Sequence, residues 1–115
     1  VSRSDEKRLD DIRDMCAMVA SLVERGRASI EADEVLWLAL ERAVEIAGEA
    51  ATQVSGETKA RFPGVPWREL AAVRVLLAQH AYHRVDLDQL WEIAANDFPI
   101  VTQALGAPPG AGDDR

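Results

Sequence analysis

Leu9, Ile12, Cys16, Val19 and Val23 recur at intervals of 3, 4, 3 and 4 residues. Only an α-helix brings residues so spaced onto one face; in a strand they would divide between both faces. The pattern predicts a helix over about 4–25, stopped at Gly26. It recurs three times. Asp33 is a suitable N-cap for a second helix reaching about residue 54, with Leu36, Leu40, Ala43, Val44, Ala47, Ala51 and Val54 facing inward. A third opens at Trp67 and carries Leu70, Val73 and Leu77, with His80 next on the same stripe. A fourth, over about 87–105, follows Asp86 as N-cap and carries Leu90, Trp91, Ala94, Phe98 and Val101, with Pro99 expected to kink or interrupt it. Between the second and third, SGETKARFPGVPW reads as a loop, because Gly56, Pro63, Gly64 and Pro66 break helical geometry and Pro66 restrains Val65 to extended backbone. Four amphipathic helices with short connections predict an all-α, antiparallel four-helix-type bundle. It forms one domain over residues 1–105, followed by a flexible tail, GAPPGAGDDR, at 106–115.

The composition agrees with this fold. In 115 residues, strand formers are sparse and Ala, Leu, Glu and Arg abundant. A lone cysteine, Cys16, cannot form an internal disulfide, and no apolar run is of membrane-spanning length, so a reduced, cytoplasmic setting without membrane contact is expected. Gly48, in the small-residue stretch EIAGEAA, costs about 1 kcal/mol of helix propensity relative to Ala. Either a neighbouring helix approaches closely there or the glycine is simply tolerated. Ala47, Gly48 and Ala51 also offer a face for homodimerisation, to which Trp37, Trp67 and Trp91 could add apolar surface, although all could equally be core.

The net charge of −7 argues against bulk attraction to nucleic acid, and no DNA partner is expected. Its distribution is uneven. Residues 1–58 hold 7 Lys+Arg against 13 Asp+Glu, residues 59–84 hold 5 against 1, and residues 85–115 hold 1 against 6. The basic segment contains Arg61, Arg68, Arg74 and Arg84, and it ends in RVLLAQHAYHRVD (74–86), which includes both histidines and the single tyrosine.

Three chemistries suit that motif. In the first it is structural: His80 a core histidine with one hydrogen bond, Arg74 laying its stem along the surface, Tyr82 closing the core. The second is a metal site using His80, His83 and Asp86; with no third histidine it falls short of the usual catalytic zinc set, so neither metal nor cofactor is expected. In the third, an imidazole exchanges protons with a ribose 2′-hydroxyl or a leaving oxygen while a guanidinium grips the phosphate between them. Six residues separate Arg74 from His80, which leaves their side chains roughly 120° apart on a regular helix. Joining them requires a local bulge or a site assembled from two chains.

RLDDI (8–12), AVEIAGEAA (43–51), FPGVPW (62–67) and the R…HAYHRVD motif followed by LW together resemble the HepT-like branch of the HEPN superfamily, over about 7–105. The resemblance implies a helical homodimer with an Arg…His motif from each chain near the interface. It also implies metal-independent endoribonuclease activity serving as a toxin, and a nucleotidyltransferase antitoxin that adenylylates a tyrosine of the motif. Carried over, Arg74 and His80 are the catalytic pair and Tyr82 the modified tyrosine, with Arg61, Arg68, His83 and Arg84 placed to guide RNA. Two positions depart from the pattern: Gln79 is an extra residue between Arg and His, and Val75 stands where many members carry a polar side chain. They motivate the alternative, a non-catalytic helical dimer that binds a nucleotide or a nucleotidyltransferase.

Overall fold

The computed structural model describes residues 2–79 and 85–106. Helices α1 (Arg3–Glu24), α2 (Arg27–Ala32), α3 (Glu34–Gln53), α4 (Gly56–Arg61), α5 (Trp67–Ala78), α6 (Leu87–Glu92) and α7 (Phe98–Leu105) follow one another, with a π-helical stretch, Ile93–Asp97, joining α6 to α7. No strand occurs among the described residues. None of these helices is long and apolar enough to cross a membrane.

Local sequence accounts for most of the boundaries. Ser2 accepts from the Asp5 N–H at 3.1 Å to cap α1, which ends before Gly26, a residue at φ 86° that suits glycine. Asp33 caps α3 through the N–H groups of Val35 and Leu36, and Asp86 caps α6 through Asp88. Two short helices were unexpected. Gly26 turns the chain into α2, which buries Ile30 completely. The segment expected to be all loop contains α4, because Ser55 caps it through the Thr58 N–H at 3.2 Å and Gly56, at the first helical position, has no earlier turn to destabilise. The rest of that segment is a tight connection: Trp67 donates its amide to Val65 O across Pro66, and its indole N–H to Phe62 O at 3.1 Å.

The irregularity expected at Pro99 lies just before it. Pro99 has no N–H and its ring crowds the carbonyl four residues back, so widening of the preceding turn into a π-helix accommodates it at the start of α7.

The long elements pack as α5, α3, α1 and α6–α7, and α5 faces Ile93, Phe98 and Val101 across a narrow gap that closes the ring. Neighbours are antiparallel. The start of α1 meets the residues after α3, and Arg27, after α1, pairs with Asp88 at the start of α6. Arg13, midway along α1, donates to Leu105 O at the end of α7, at 3.0 Å. The predicted stripes form the core. Leu9, Ile12, Cys16, Val19, Leu40, Val44, Leu70, Val73, Leu90, Phe98 and Val101 are buried, and at the end of α1 Leu22 replaces Val23 as the buried residue because 3.6 residues per turn does not keep pace with the 3, 4 alternation. Burial also pushes the Cys16 thiol up in pKa.

Gly48 belongs to a close helix approach. A Cβ there would stand 3.0 Å from Leu70 O and 3.7 Å from Val73 Cβ, both on α5. Ala47, Gly48 and Ala51 are buried within the chain, so the face expected to serve dimerisation is already used inside the bundle.

The buried carboxylate of Asp5 accepts from the Ser55 amide at 3.1 Å and from the hydroxyls of Ser55 and Thr58, both at 2.6 Å. These donors, Ser55 foremost, hold its pKa down at about 2 against the ordinary 3.8, outweighing the opposite pull of burial. The folded chain therefore releases this proton more readily than the unfolded one. The stabilisation is present above pH 3.8 and lost as pH falls towards about 2. Denaturant midpoints measured from pH 5 to pH 2 should fall more steeply for the native chain than for Asp5→Asn, the two curves converging at the acid end. Gly48→Ala should lower stability by roughly 1 kcal/mol in spite of its helix-propensity gain, and Gly48→Val by more, in thermal melts, because α5 must move bodily away from α3.

Candidate functional site

Arg74 stands on the outward side of α5, its side chain half exposed, with Nη1 3.7 Å from Glu49 Oε1. Gly48 and Glu49 act together on it. The missing side chain at 48 lets α5 settle so close that the Arg74 amide nitrogen would be 3.6 Å from a Cβ there, and the next residue supplies the carboxylate that faces the guanidinium. An ion pair between half-exposed side chains is worth about 0–1 kcal/mol. A phosphate can therefore displace the carboxylate at little cost.

The helix remains regular beyond Arg74. The Gln79 amide donates to Val75 O at 3.1 Å, so no bulge relieves the Arg-to-His offset as far as Gln79; the π-helical stretch lies in a different part of the chain. Val75 is 53% exposed, an apolar side chain on open surface immediately beside Arg74. His80, Tyr82, His83 and Arg84 lie outside the described residues, as does the tail from 107 onward. The chain returns at Val85, whose side chain is buried and whose amide donates to Glu41 Oε2 on α3 at 3.3 Å. Val85, the next described residue after Gln79, is thus anchored on α3.

Two further basic candidates, Arg61 and Arg68, lie among the described residues. Arg61 is exposed at the end of α4, and Arg68 is exposed in the first turn of α5. Six residues separate Arg68 from Arg74, so the two side chains diverge by roughly 120° around the helix. Neither Arg61 nor Arg68 makes an ion pair among the described residues. Nor do the described residues contain a group of three His, Cys, Asp or Glu able to hold a metal ion; His80 and His83 fall outside them.

Sequence reasoning missed what lies on the other side of Glu49. A groove of about 500 Å³ runs between α1 and α3, and Arg8, Asp11, Arg42, Glu49 and Gln53 all line it. No local sequence signal marks this groove, because its two walls come from helices that are distant in the chain.

The model of the family described as HepT-like, "Ribonuclease HepT-like", matches residues 9–107. A protein of Thermococcus cleftensis named "Probable ribonuclease HepT" is 33% identical over 100 residues, 86% of this chain and 90% of that one. "Putative RNase MJ1380" of Methanocaldococcus jannaschii is 36% identical over 73 residues, 64% of this chain and just under two thirds, 66%, of its own. No solved structure matches the chain. The family match runs from within α1 to beyond α7 and includes the segment that bears Arg74, and the chain belongs to the HepT-like family of ribonucleases.

Proposed function

We propose that the protein is a metal-independent endoribonuclease that acts as the toxin of a toxin–antitoxin pair. The family match across 9–107 carries this reading, and the accessible guanidinium of Arg74, whose one ion pair among the described residues is with an exposed carboxylate, supports it locally. Arg74 grips the scissile phosphate and stabilises the charge that accumulates on it in the transition state. His80 takes the 2′-hydroxyl proton or protonates the leaving 5′ oxygen. Each needs the other within reach, yet on a regular helix the two diverge by roughly 120°. A homodimer in which Arg74 of one chain works with the partner's histidine removes that difficulty. The exposed Val75 beside Arg74 supports a protein contact on this face.

Neutralisation acts on the same site. Tyr82 lies two residues past His80 in sequence, and adenylylation there by a nucleotidyltransferase antitoxin adds a bulky nucleoside and a phosphodiester charge beside the groups that must receive RNA. The phosphodiester competes for the positive field of Arg74 and Arg84, and the nucleoside fills space. Inhibition then needs no change of fold.

Purified protein incubated with cellular RNA and excess chelator should cleave it, and Arg74→Ala and His80→Ala should each lower the rate by about 10² or more. Equal cleavage by all three would remove the assignment. Sedimentation at micromolar concentration should give twice the mass of one chain; a monomer that still cleaves would rule out the shared site. Coexpression with the cognate nucleotidyltransferase should add mass to the Tyr82 peptide in steps of one AMP, with Tyr82→Phe escaping both addition and silencing. Silencing without added mass would assign neutralisation to occlusion by a stoichiometric complex.

A further inference from the structure

The groove between α1 and α3 shares a wall with the site. Glu49 lines it on one side and faces Arg74 on the other, 3.7 Å away. Its charges are mostly matched within the protein: Asp11 with Lys7 at 3.5 Å, Arg42 with Glu45 at 3.1 Å, and Glu49 with Arg74. Arg8 is the exception. It lines the groove, its residue is partly buried, and among the described residues it makes no ion pair. A partly buried guanidinium without a carboxylate leaves one positive charge in a concave site.

The remaining lining fits a nucleotide unit. Ile46 and Ala50 lie between the charged walls and offer apolar surface to a ribose or the face of a base, and the exposed Gln53 amide can both donate to and accept from a sugar hydroxyl or a base edge. A guanidinium fork matches two oxygens of a phosphodiester. We propose that this groove is a subsite for an RNA phosphodiester flanking the one that is cut, with Arg8 as its anion-binding residue and the Glu49–Arg74 pair as its boundary with the reaction centre. The inference rests on the ribonuclease reading for its substrate, although the binding it asserts can be measured without cleavage.

Two measurements test it: affinity for a labelled RNA dodecamer by fluorescence anisotropy across a salt series, and kcat/KM on RNA oligonucleotides from a dinucleotide to that dodecamer. Arg8→Gln should weaken dodecamer binding roughly tenfold and make the slope of log affinity against log salt shallower by about 0.7, the share of one phosphate contact on a single strand. Arg8→Lys, which keeps the charge without the fork, should recover part of the affinity. The kcat/KM loss should be roughly tenfold greater on the dodecamer than on the dinucleotide, because only the longer chain reaches the groove. An unchanged slope, or equal losses at every length, overturns the subsite. So does AMP displacing the dodecamer from the native chain but not from Arg8→Gln with no dependence on length, which would make the groove a mononucleotide site. If Arg74→Ala cleaves as well as the native chain while Arg8→Gln still loses affinity, the ribonuclease mechanism fails and the RNA-binding groove stands. If Arg74→Ala is inactive and Arg8→Gln is unaffected in both measurements, the groove fails alone.

Discussion

The contact between the backbones of α3 and α5 at Gly48 sets the geometry of everything around the candidate site. Helices with ordinary side chains at their crossing lie about 8–10 Å apart. With only a hydrogen on the Gly48 Cα, Leu70 O comes to 3.0 Å from where a Cβ would be. That approach fixes which turn of α5 lies opposite Glu49, and hence where the Arg74 guanidinium emerges. It also uses small residues that would otherwise offer a face to a second chain.

Much of the architecture was legible because it is periodic. The 3, 4 spacing found all four long helical stretches, and Asp33 and Asp86 marked two of their starts as caps do. Most of the misses originate in contacts between residues far apart in the chain. Nothing local marks Asp5 as the partner of Ser55 and Thr58, fifty residues on; its sequence context reads as an ordinary acidic first turn. Helix α4 was hidden by the glycine and prolines around it, although Ser55 three residues before Thr58 is a capping spacing. At the site, the motif pointed to Arg74, whereas Glu49 and Arg8 could be related to it only once α1, α3 and α5 were placed side by side.

The charge pattern takes on a different sense in three dimensions. Along the chain, one basic segment separates two acidic ones. In the fold, the guanidiniums that line the groove beside Glu49, those of Arg8 and Arg42, belong to the acidic first half and not to that segment. An acidic protein can serve an anionic ligand this way, because one guanidinium, that of Arg8, stands in a concave place without an ion pair among the described residues. The long-range charge still opposes indiscriminate binding.

The Asp5 clasp also bears on the order in which the protein can assemble as it leaves the ribosome. Its groups all lie before residue 59, and so do the residues that line the α1–α3 groove. The contacts that close α1 on the end of α3 all lie within residues 5–58, so this pair can close before α5 docks in the shallow trough at Gly48. Arg74 comes on a later helix that docks against that surface, and α7, which the Arg13 bond to Leu105 O fastens to α1, follows it in the chain. The groove is thus complete in the first half of the chain, and Arg74 is added to its border by a helix from the second.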